Sequence, residues 1–325
     1  MNTVVITEQG SHLTKRGGQI ILFKEGKKIY VNPLVNIRQI ILIGRIEISN
    51  TLISYALRNQ IDIAFLAIDG RYKGRLAAHQ SKNIFVRQKQ FERLDDDAFR
   101  LAFSRRVVLA KANNYGRMVQ KKAAVAYESF RERLNNLRKS IESADSVETL
   151  RGLEGSFSAL YFRHLPAMLI ETFGFRKRQK HPPPDPLNIL LSFSYTLLFN
   201  TVYAFVETAG LDPYCGFFHD LKYGHPALAS DLMEEFRAPL ADSLVISLIN
   251  NKLITAEHFF KEDQNIKISR DGVAILYEHY RRRLTEKFAY KEMRLNFMQI
   301  IEQQVQHFVR VLKGEEDQYE GYVSR

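Results

Sequence analysis

Two carboxylates spaced three residues apart are the strongest chemical signal in the chain. Asp231 and Glu234 lie in the stretch SDLMEEFR (230–237), and on a helix this spacing projects both side chains from one face. Two carboxylates on one helix edge repel each other unless a cation lies between them, and hard divalent ions are bound by such oxygen ligands together with water and phosphate oxygens. The alternative is a helix that begins at Ser230 and favours acids in its first turns through the helix dipole.

A third carboxylate, Glu154, borders the apolar stripe of a predicted helix. In GLEGSFSALYF (152–162) it lies close to Gly152 and Gly155, and a glycine in a helix interior costs about 1 kcal/mol relative to alanine. Because glycine lowers helix stability, its presence here indicates that another helix or a ligand approaches the backbone closely. A carboxylate at this border is also partly desolvated unless a cation meets it. The alternative is an ordinary exposed glutamate near a tight helix crossing.

One histidine precedes the acidic stretch by about a dozen residues. His219 ends the segment GLDPYCGFFH (210–219), which its proline and glycine residues make irregular. With Phe217 and Phe218 beside it, the imidazole has the surroundings of a buried core histidine as much as those of a ligand. Its role therefore depends on whether the fold brings it to the three carboxylates.

The elements that must position these side chains are of two kinds. Residues 1–84 carry alternating or β-branched apolar runs, as in QIILFKEGKKIYVN (19–32), where Gly26 predicts a hairpin turn. From residue 85 onward the apolar period is helical. We therefore predict an α+β protein, with an N-terminal β-rich, β-sandwich-like domain over 1–84 and a larger all-α C-terminal domain over 85–325. Helices are expected to fill 229–250 and about 272–312, followed by a mobile tail.

One segment raises the question of a membrane. LNILLSFSYTLLFNTVYAFV (187–206) has the length of a span, but Asn, Ser and Thr residues interrupt it. Because polar groups are costly in lipid, a buried core helix is favoured and no membrane partner is expected. The single cysteine, Cys215, excludes an intramolecular disulfide, and the N-terminus lacks the pattern of a signal peptide. We therefore expect a cytoplasmic protein.

The charge is divided unevenly along the chain. The net charge is +11, but residues 1–150 carry 26 Lys and Arg against 14 Asp and Glu, a net of +12, whereas residues 151–325 carry 21 against 22, a net of −1. Such a basic excess predicts a polyanionic partner, nucleic acid before an anionic membrane, although a basic surface without a partner is the alternative. No Walker A, GxGxxG, HExxH, EF-hand or GxSxG motif is present, which excludes the common nucleotide-binding and hydrolase signatures.

Four separated segments together resemble the CRISPR-associated protein one family. They are, in order, GLEGSFSALYF (152–162), DPLNILLSFSYTLL (185–198), GLDPYCGFFH (210–219) and LASDLMEEFR (228–237). The resemblance is specific because both order and spacing agree, and it covers nearly the whole chain. The family consists of metal-dependent DNA endonucleases and integrases that insert new spacers into CRISPR arrays. The chain departs from the family pattern at His225, in the loop before the last segment.

The resemblance implies a set of site residues. By motif, the family's three metal ligands match Glu154, His219 and Glu234, and a further motif acid matches Asp231. These four are the predicted catalytic residues, and the first three are the predicted ligands of Mg²⁺ or Mn²⁺, since one imidazole with carboxylates suits Mn²⁺ well and Mg²⁺ adequately. Asp231 is expected to orient a metal-bound water or the attacking hydroxyl. The implied nucleophile is a DNA 3′-hydroxyl during integration and water during cleavage.

Substrates and partners also follow from the resemblance. The implied substrate is double-stranded DNA, both as spacer precursor and as CRISPR array. Domain 1–84 is expected to form a homodimer, the small CRISPR-associated protein two to bridge two such dimers, and domain 85–325 to carry the metal-dependent catalysis. The basic loop at 176–180 and two further cations are the predicted DNA contacts: Arg176, Lys177, Arg178, Lys180, Lys222 and Arg237.

Other functions stay open on the residues alone. A non-catalytic DNA-binding protein would use the basic half and need no metal. A metal-dependent DNA-repair nuclease would fit the ligands, and so would a hydrolase of small phosphates, which leaves the basic excess unexplained. If a metal is used, low pH should inactivate the enzyme, because His219 binds an ion only when neutral.

Overall fold

Strands dominate the first of two compact units, Met1–Ile84, as the alternating sequence predicted. The structure is a computed structural model that describes residues 2–6, 8–67, 72–76, 84–180, 182–263, 265–290 and 292–324. The strands of this unit are β1 (Asn2–Ile6), β2 (Ser11–Arg16), β3 (Gln19–Lys24), β4 (Lys27–Pro33), β5 (Ile37–Ile43), β6 (Ile46–Ile48), β7 (Asp62–Leu66) and β8 (Tyr72–Leu76).

Within the described residues these strands form two four-stranded sheets, in the orders β1-β5-β7-β8 and β4-β3-β2-β6. Strand β5 pairs in parallel with β1 and with β7, and β2 pairs in parallel with β6. Leu13 and Ile20 of one sheet and Ile40 and Ile63 of the other are fully buried in a single apolar core. Two sheets that share one core confirm the β-sandwich-like prediction.

The predicted hairpin at Gly26 is present. β3 and β4 pair antiparallel, and the two residues between them, Glu25 and Gly26, have φ values of 49° and 76°. Positive φ at both central positions is the geometry of a tight hairpin turn, which glycine adopts without strain. Helix α1 (Asn50–Arg58) lies between β6 and β7, and Ser49 caps it by accepting a hydrogen bond from the backbone N–H of Leu52.

Helices dominate the second unit, Phe85–Arg325. They are α2 (Ile84–Glu92), α3 (Asp97–Lys122), α4 (Ala124–Ser143), α5 (Val147–His164), α6 (Pro186–Thr208), α7 (Ala227–Met233), α8 (Ser243–Asn250), α9 (Arg270–Thr285) and α10 (Phe297–Lys313). The order of a strand-rich unit followed by a helical one confirms the predicted fold class.

Two short hairpins join the helices of this unit. They consist of β9 (Phe259–Glu262) with β10 (Asn265–Ile268) and of β11 (Phe288–Tyr290) with β12 (Met293–Leu295). The second hairpin separates α9 from α10, so the helical region expected over about 272–312 is interrupted by two short strands. Periodicity did not reveal the break, because the two helices on either side of the hairpin are both amphipathic.

Helix α6 is the long apolar helix of the chain's centre. By length and composition it could cross a membrane, but 72% of its most apolar window is buried inside the protein, as expected of a core helix. Two of its polar side chains find partners nearby: Asn200 donates to the carbonyl of Thr196, and Thr201 donates to the carbonyl of Leu197 and bonds Tyr280 of α9. Buried polar groups that find such partners are compatible with a protein interior.

Candidate active site

The carboxylates of Glu154 and Glu234 meet one buried ammonium group. Glu154 projects from α5 and Glu234 from the turn after α7, with side chains 23% and 3% exposed. Lys111 of α3 is 4% exposed; its Nζ lies 2.6 Å from Glu234 Oε2 and also donates to Glu154 Oε1. Two of the three predicted metal ligands therefore flank a single lysine.

Neighbouring cations keep Glu234 ionised. Arg237 Nη2 lies 2.8 Å from Glu234 Oε1. Burial alone would raise the pKa of Glu234, but Arg237, Lys111 and His219 outweigh it and lower the pKa to about 2. At Glu154, burial would also raise the pKa of the carboxyl group, but the charge of Lys111 outweighs burial and the pKa is lowered. Both carboxylates are therefore charged at neutral pH.

Asp231 binds His219 on the side of the ring that faces away from Glu234. Its buried carboxylate accepts hydrogen bonds from the backbone N–H groups of Phe217 (2.7 Å), Phe218 (3.0 Å) and His219 (2.9 Å), and its Oδ1 lies 2.7 Å from His219 Nδ1. The other ring nitrogen, Nε2, faces Glu234 Oε1 at 3.8 Å. Burial lowers the pKa of His219, but the bond to Asp231 overcomes this and raises it. Asp231 thus fixes both the loop and the orientation of the imidazole.

The loop that carries His219 has little freedom. A side chain at Gly216 would collide with α7, because a Cβ there would lie 2.6 Å from the carbonyl carbon of Ala227. Arg151 of α5 donates from Nε to the carbonyl oxygen of Phe218 at 2.6 Å and forms an ion pair with Asp220. The segment that its prolines and glycines predicted to be irregular is therefore an ordered loop, packed against α7 and bonded to α5.

The acidic stretch folds differently from the predicted helix start. Ser230 lies inside α7, which begins after Pro226, and the chain continues as a 3₁₀ turn over Glu234–Phe236 and a π-helical turn over Arg237–Asp242. Changes of helix type of this kind are frequent at functional sites. Asp231 and Glu234 lie at the two opposite nitrogens of His219.

The three predicted ligands line one pocket of about 650 Å³, and cations surround them. Its charged lining consists of Lys111, Glu154, Arg163, Arg176, Lys177, Arg178, Lys180, His219, Glu234 and Arg237. Asp231 lies behind this pocket, since both of its oxygens are occupied by the His219 loop. The pocket thus combines two carboxylates and an imidazole with a basic wall.

The six predicted DNA contacts differ in their exposure and in their partners within the protein. Arg176, Lys177 and Lys180 are exposed at the pocket. Arg178 is tied internally to the side chains of Asn188 and Ser192, each at 3.0 Å. The remaining two are Arg237, 14% exposed and paired with Glu234, and Lys222, which is absent from the pocket lining and pairs with Asp220 at 3.4 Å.

A buried aromatic layer lies beneath this basic wall. The guanidinium groups of Arg237 and Arg178 lie over the ring of Tyr195, at 4.7 Å and 5.4 Å from its centroid. The Tyr195 hydroxyl donates to Asp242 at 2.6 Å. Burial raises the pKa of Asp242 to about 6 even though this bond lowers it. The cation–π contacts hold both guanidinium groups in place.

Glu154, His219 and Glu234 are suitable ligand types for a divalent ion, but their donor atoms do not converge on a single position. In the described part of the chain no three His, Cys, Asp or Glu side chains are close enough together to hold a metal ion. His219 Nε2 and the carboxylate oxygens of Glu154 and Glu234 are nevertheless the ligand types that Mn²⁺ and Mg²⁺ accept. Glu234 Oε2 is buried, and Lys111 Nζ lies 2.6 Å from it. An ion at this place would replace the Lys111 ammonium.

Lys111 is the site residue that sequence reasoning missed. In the sequence it is one of the 26 Lys and Arg residues of the basic first half. The available signal was its position in VVLAKANNY (107–115), where it shares a helix face with buried Val107, Val108 and Tyr115. A lysine on an apolar helix face requires a buried acid as partner.

Comparison with known proteins leads to one family. The family model described as CRISPR associated protein Cas1 matches residues 4–282. A curated relative, CRISPR-associated endonuclease Cas1 3 of Thermus thermophilus, is 33% identical over 329 residues, covering 100% of this chain and 98% of the relative.

Solved structures share the fold. A chain of a partial Cas6-RT-Cas1–Cas2 complex has a TM-score of 0.81 and 24% identity, covering 100% of this chain and 99% of that one. A casposase bound to its integration product has a TM-score of 0.78 and 19% identity, covering 98% and 93%. Since the family model matches most of the sequence and the relative aligns over the full length, the chain belongs to the CRISPR-associated protein Cas1 family.

Proposed function

We propose that the chain is a metal-dependent DNA endonuclease and integrase of CRISPR adaptation, which inserts spacer DNA into the CRISPR array by attack of a DNA 3′-hydroxyl on a phosphodiester. The observation that carries the proposal is the meeting of Glu154, His219 and Glu234 in one pocket with a basic wall. The cations can hold phosphates while the acids hold a divalent ion. The names of similar proteins, an endonuclease and a casposase bound to its integration product, support this reaction class.

In this proposal Glu154, Glu234 and Nε2 of His219 hold Mg²⁺ or Mn²⁺. The bound ion supplies positive charge where the phosphate oxygens gain negative charge during attack. Asp231 keeps the imidazole proton on Nδ1, so that Nε2 offers its lone pair towards the pocket. Lys111 and Arg237 together compensate the charge of the two carboxylates when no ion is bound, which keeps the buried pair stable in the metal-free protein.

The exposed cations are proposed to hold the DNA backbone. Arg176, Lys177 and Lys180 lie at the pocket with their side chains in solvent, and Arg163 of α5 joins them. Phosphate contacts of this kind position a nucleic acid without reading its sequence. The basic excess of residues 1–150 supplies a wider field that favours binding of duplex DNA.

We also propose that the protein works in the cytoplasm as a homodimer with CRISPR-associated protein two. Strand β4 is a sheet edge whose Ile29, Tyr30 and Val31 are exposed. An apolar edge strand is suited to pairing with a second chain, which supports dimerisation through the unit Met1–Ile84. A similar chain occurs in a complex that is named for Cas1 and Cas2, which supports the companion protein.

Alanine substitution of the ligands tests the catalytic proposal. Glu154→Ala and Glu234→Ala should each abolish Mn²⁺-dependent cleavage and strand transfer, because each removes a ligand oxygen, while duplex binding in EDTA persists. The matched control is Glu148→Ala on the same helix as Glu154, since Glu148 is 75% exposed and its ion pair with Arg151 contributes little. Full activity of either ligand variant would contradict the proposed site.

A further inference from the structure

The segment after α10 is packed against the turn that carries Glu234. Residues 315–324, here called the C-terminal strap, follow the left-handed Gly314 that ends α10. The expectation of a mobile tail was wrong, because the strap buries Tyr319 and Tyr322 to 2% exposure each. The ring of Tyr322 stacks on Phe236, with centroids 5.2 Å apart and planes 15° from parallel. Burial of two tyrosines gives the strap an apolar anchor.

Glu235 is the centre of this packing. It follows Glu234 directly but points to the opposite side, where it is fully buried. Its carboxylate accepts hydrogen bonds from the Tyr319 hydroxyl at 2.9 Å, from the backbone N–H of Tyr322 at 2.5 Å and from the amide of Gln304 at 3.3 Å. Two of these three donors belong to the strap, so the strap holds the residue next to a proposed metal ligand.

Helix α3 connects the strap to the site a second time. Asn114 donates to the carbonyl oxygens of Glu235 and Tyr322, both at 2.8 Å, and accepts from the backbone N–H of Ser324 at 2.8 Å. Lys111 lies one helical turn earlier and pairs with Glu234. One face of α3 therefore fixes the strap, the turn and the ligand carboxylate together.

The fit leaves no space for a side chain at Gly321. A Cβ at this position would lie 2.5 Å from Ala110 Cβ and 2.8 Å from Glu235 Oε2. Ala110 precedes Lys111 in α3, so the strap backbone passes between the helix and the acidic turn. Such close approach transmits small displacements, since a packed interior yields little.

We propose that the C-terminal strap is a positioning element for the metal site: by holding Glu235 from behind, it sets the placement of Glu234 relative to Glu154 and His219. The inference rests on the proposed function. It assigns the strap a role beyond stability, because loss of one strap hydrogen bond should weaken metal binding more than loss of an equal bond elsewhere. Outer contacts of this kind typically alter metal affinity or activity by about 10–100-fold.

A matched pair of tyrosine variants tests the proposal. Tyr319→Phe removes the hydroxyl that donates to Glu235 and keeps the ring, whereas Tyr280→Phe removes an equally buried hydroxyl that bonds Thr201 at 2.8 Å. Mn²⁺ binding to the DNA-free protein is followed by the loss of the free-ion EPR signal, and the midpoint of thermal unfolding is measured in EDTA. We expect similar thermal shifts, but a dissociation constant for Mn²⁺ about tenfold higher for Tyr319→Phe alone.

A second pair uses the closed space at Gly321. Gly321→Ala should also weaken Mn²⁺ binding, whereas Gly18→Ala, where a Cβ meets open space, should not. If the unsubstituted protein binds Mn²⁺ and cleaves DNA while Tyr319→Phe and Gly321→Ala bind the ion equally well, the strap has no positioning role. If the unsubstituted protein neither binds Mn²⁺ nor cleaves DNA, the proposed function fails and the role of the strap fails with it.

Discussion

Lys111 Nζ lies 2.6 Å from Glu234 Oε2, and the same ammonium bonds Glu154 across the pocket. A buried cation thus lies between two carboxylates that the family resemblance assigns to a divalent ion. The protein is therefore charge-compensated at this point before any metal arrives. The stability of the metal-free protein and the binding of a metal ion at this site can therefore be measured separately.

Lys111→Met should destabilise the metal-free protein and increase its response to metal. Removing one partner of a buried ion pair costs about 3–5 kcal/mol, because the other charge stays buried and unpaired. Mn²⁺ should then raise the unfolding midpoint of the variant more than that of the unsubstituted protein, since no ammonium competes with the ion. Denaturant unfolding with Mn²⁺ and with EDTA measures both effects. Lys122→Met, at the exposed end of the same helix, is the control, and equal Mn²⁺ shifts in both variants would refute competition.

Asp231→Asn should loosen the loop that carries His219. The carboxylate accepts four hydrogen bonds, two on each oxygen, and asparagine loses the two on the oxygen that its amide nitrogen replaces. We expect cleavage to fall about 10–100-fold and the amide protons of 217–219 to exchange faster. Hydrogen exchange read by mass spectrometry measures the loop directly. Asp96→Asn is the control, because Asp96 caps α3 by accepting from the N–H of Phe99, a role that asparagine fills as well. Unchanged exchange at 217–219 would contradict the role of Asp231.

Asp242 should make stability depend on pH. Burial raises its pKa from 3.8 to about 6, so the folded state holds this proton more tightly than the unfolded state does. The stabilisation is complete below about pH 4 and is lost as pH rises through 6, a change of about 3 kcal/mol for two pKa units. Asp242→Asn lacks this dependence, so its stability relative to the unsubstituted protein should increase between pH 4 and pH 7. Urea unfolding at both pH values measures the difference, and parallel pH profiles of the two proteins would show that Asp242 ionises normally.

In the basic loop, we expect Arg176 and Lys177 to bind DNA and Arg178 to stabilise the fold. The double variant Arg176→Ala/Lys177→Ala should reduce the salt dependence of DNA binding by about two units of slope, because two phosphate contacts are lost. Its unfolding midpoint should hardly move, since both side chains are exposed. Arg178→Ala should instead lower stability by about 2 kcal/mol, as it removes hydrogen bonds to Asn188 and Ser192. Equal salt slopes for the double variant and the unsubstituted protein would place the DNA elsewhere.

The fold was largely readable from local patterns. Alternation in the first 84 residues predicted the strands, Gly26 marked a hairpin that is present, and the change of period predicted the helical unit. These features depend on neighbours in the sequence. The break between α9 and α10 and the order of the strands depend on tertiary packing, and the sequence alone did not predict them.

The site was readable only in part. The types and spacing of Asp231 and Glu234 indicated a shared face, and both do face His219, but no local signal indicated the 3₁₀ turn and the π-helical turn that follow α7. The strap shows the same limit: its position at the C-terminus predicted mobility, whereas two tyrosines and the absent side chain of Gly321 fix it against α3. Such contacts join residues far apart in the sequence, as Tyr319 and Glu235 are.

Tyr195 has a consequence for genetics. Its ring supports Arg237, which pairs with the proposed ligand Glu234, and Arg178, which holds the basic loop. Separation-of-function alleles, which bind without cutting or the reverse, should therefore be recoverable at positions that serve one task. At Tyr195 we expect none, because a lesion there displaces both Arg237, beside the proposed metal site, and Arg178, which holds the basic loop.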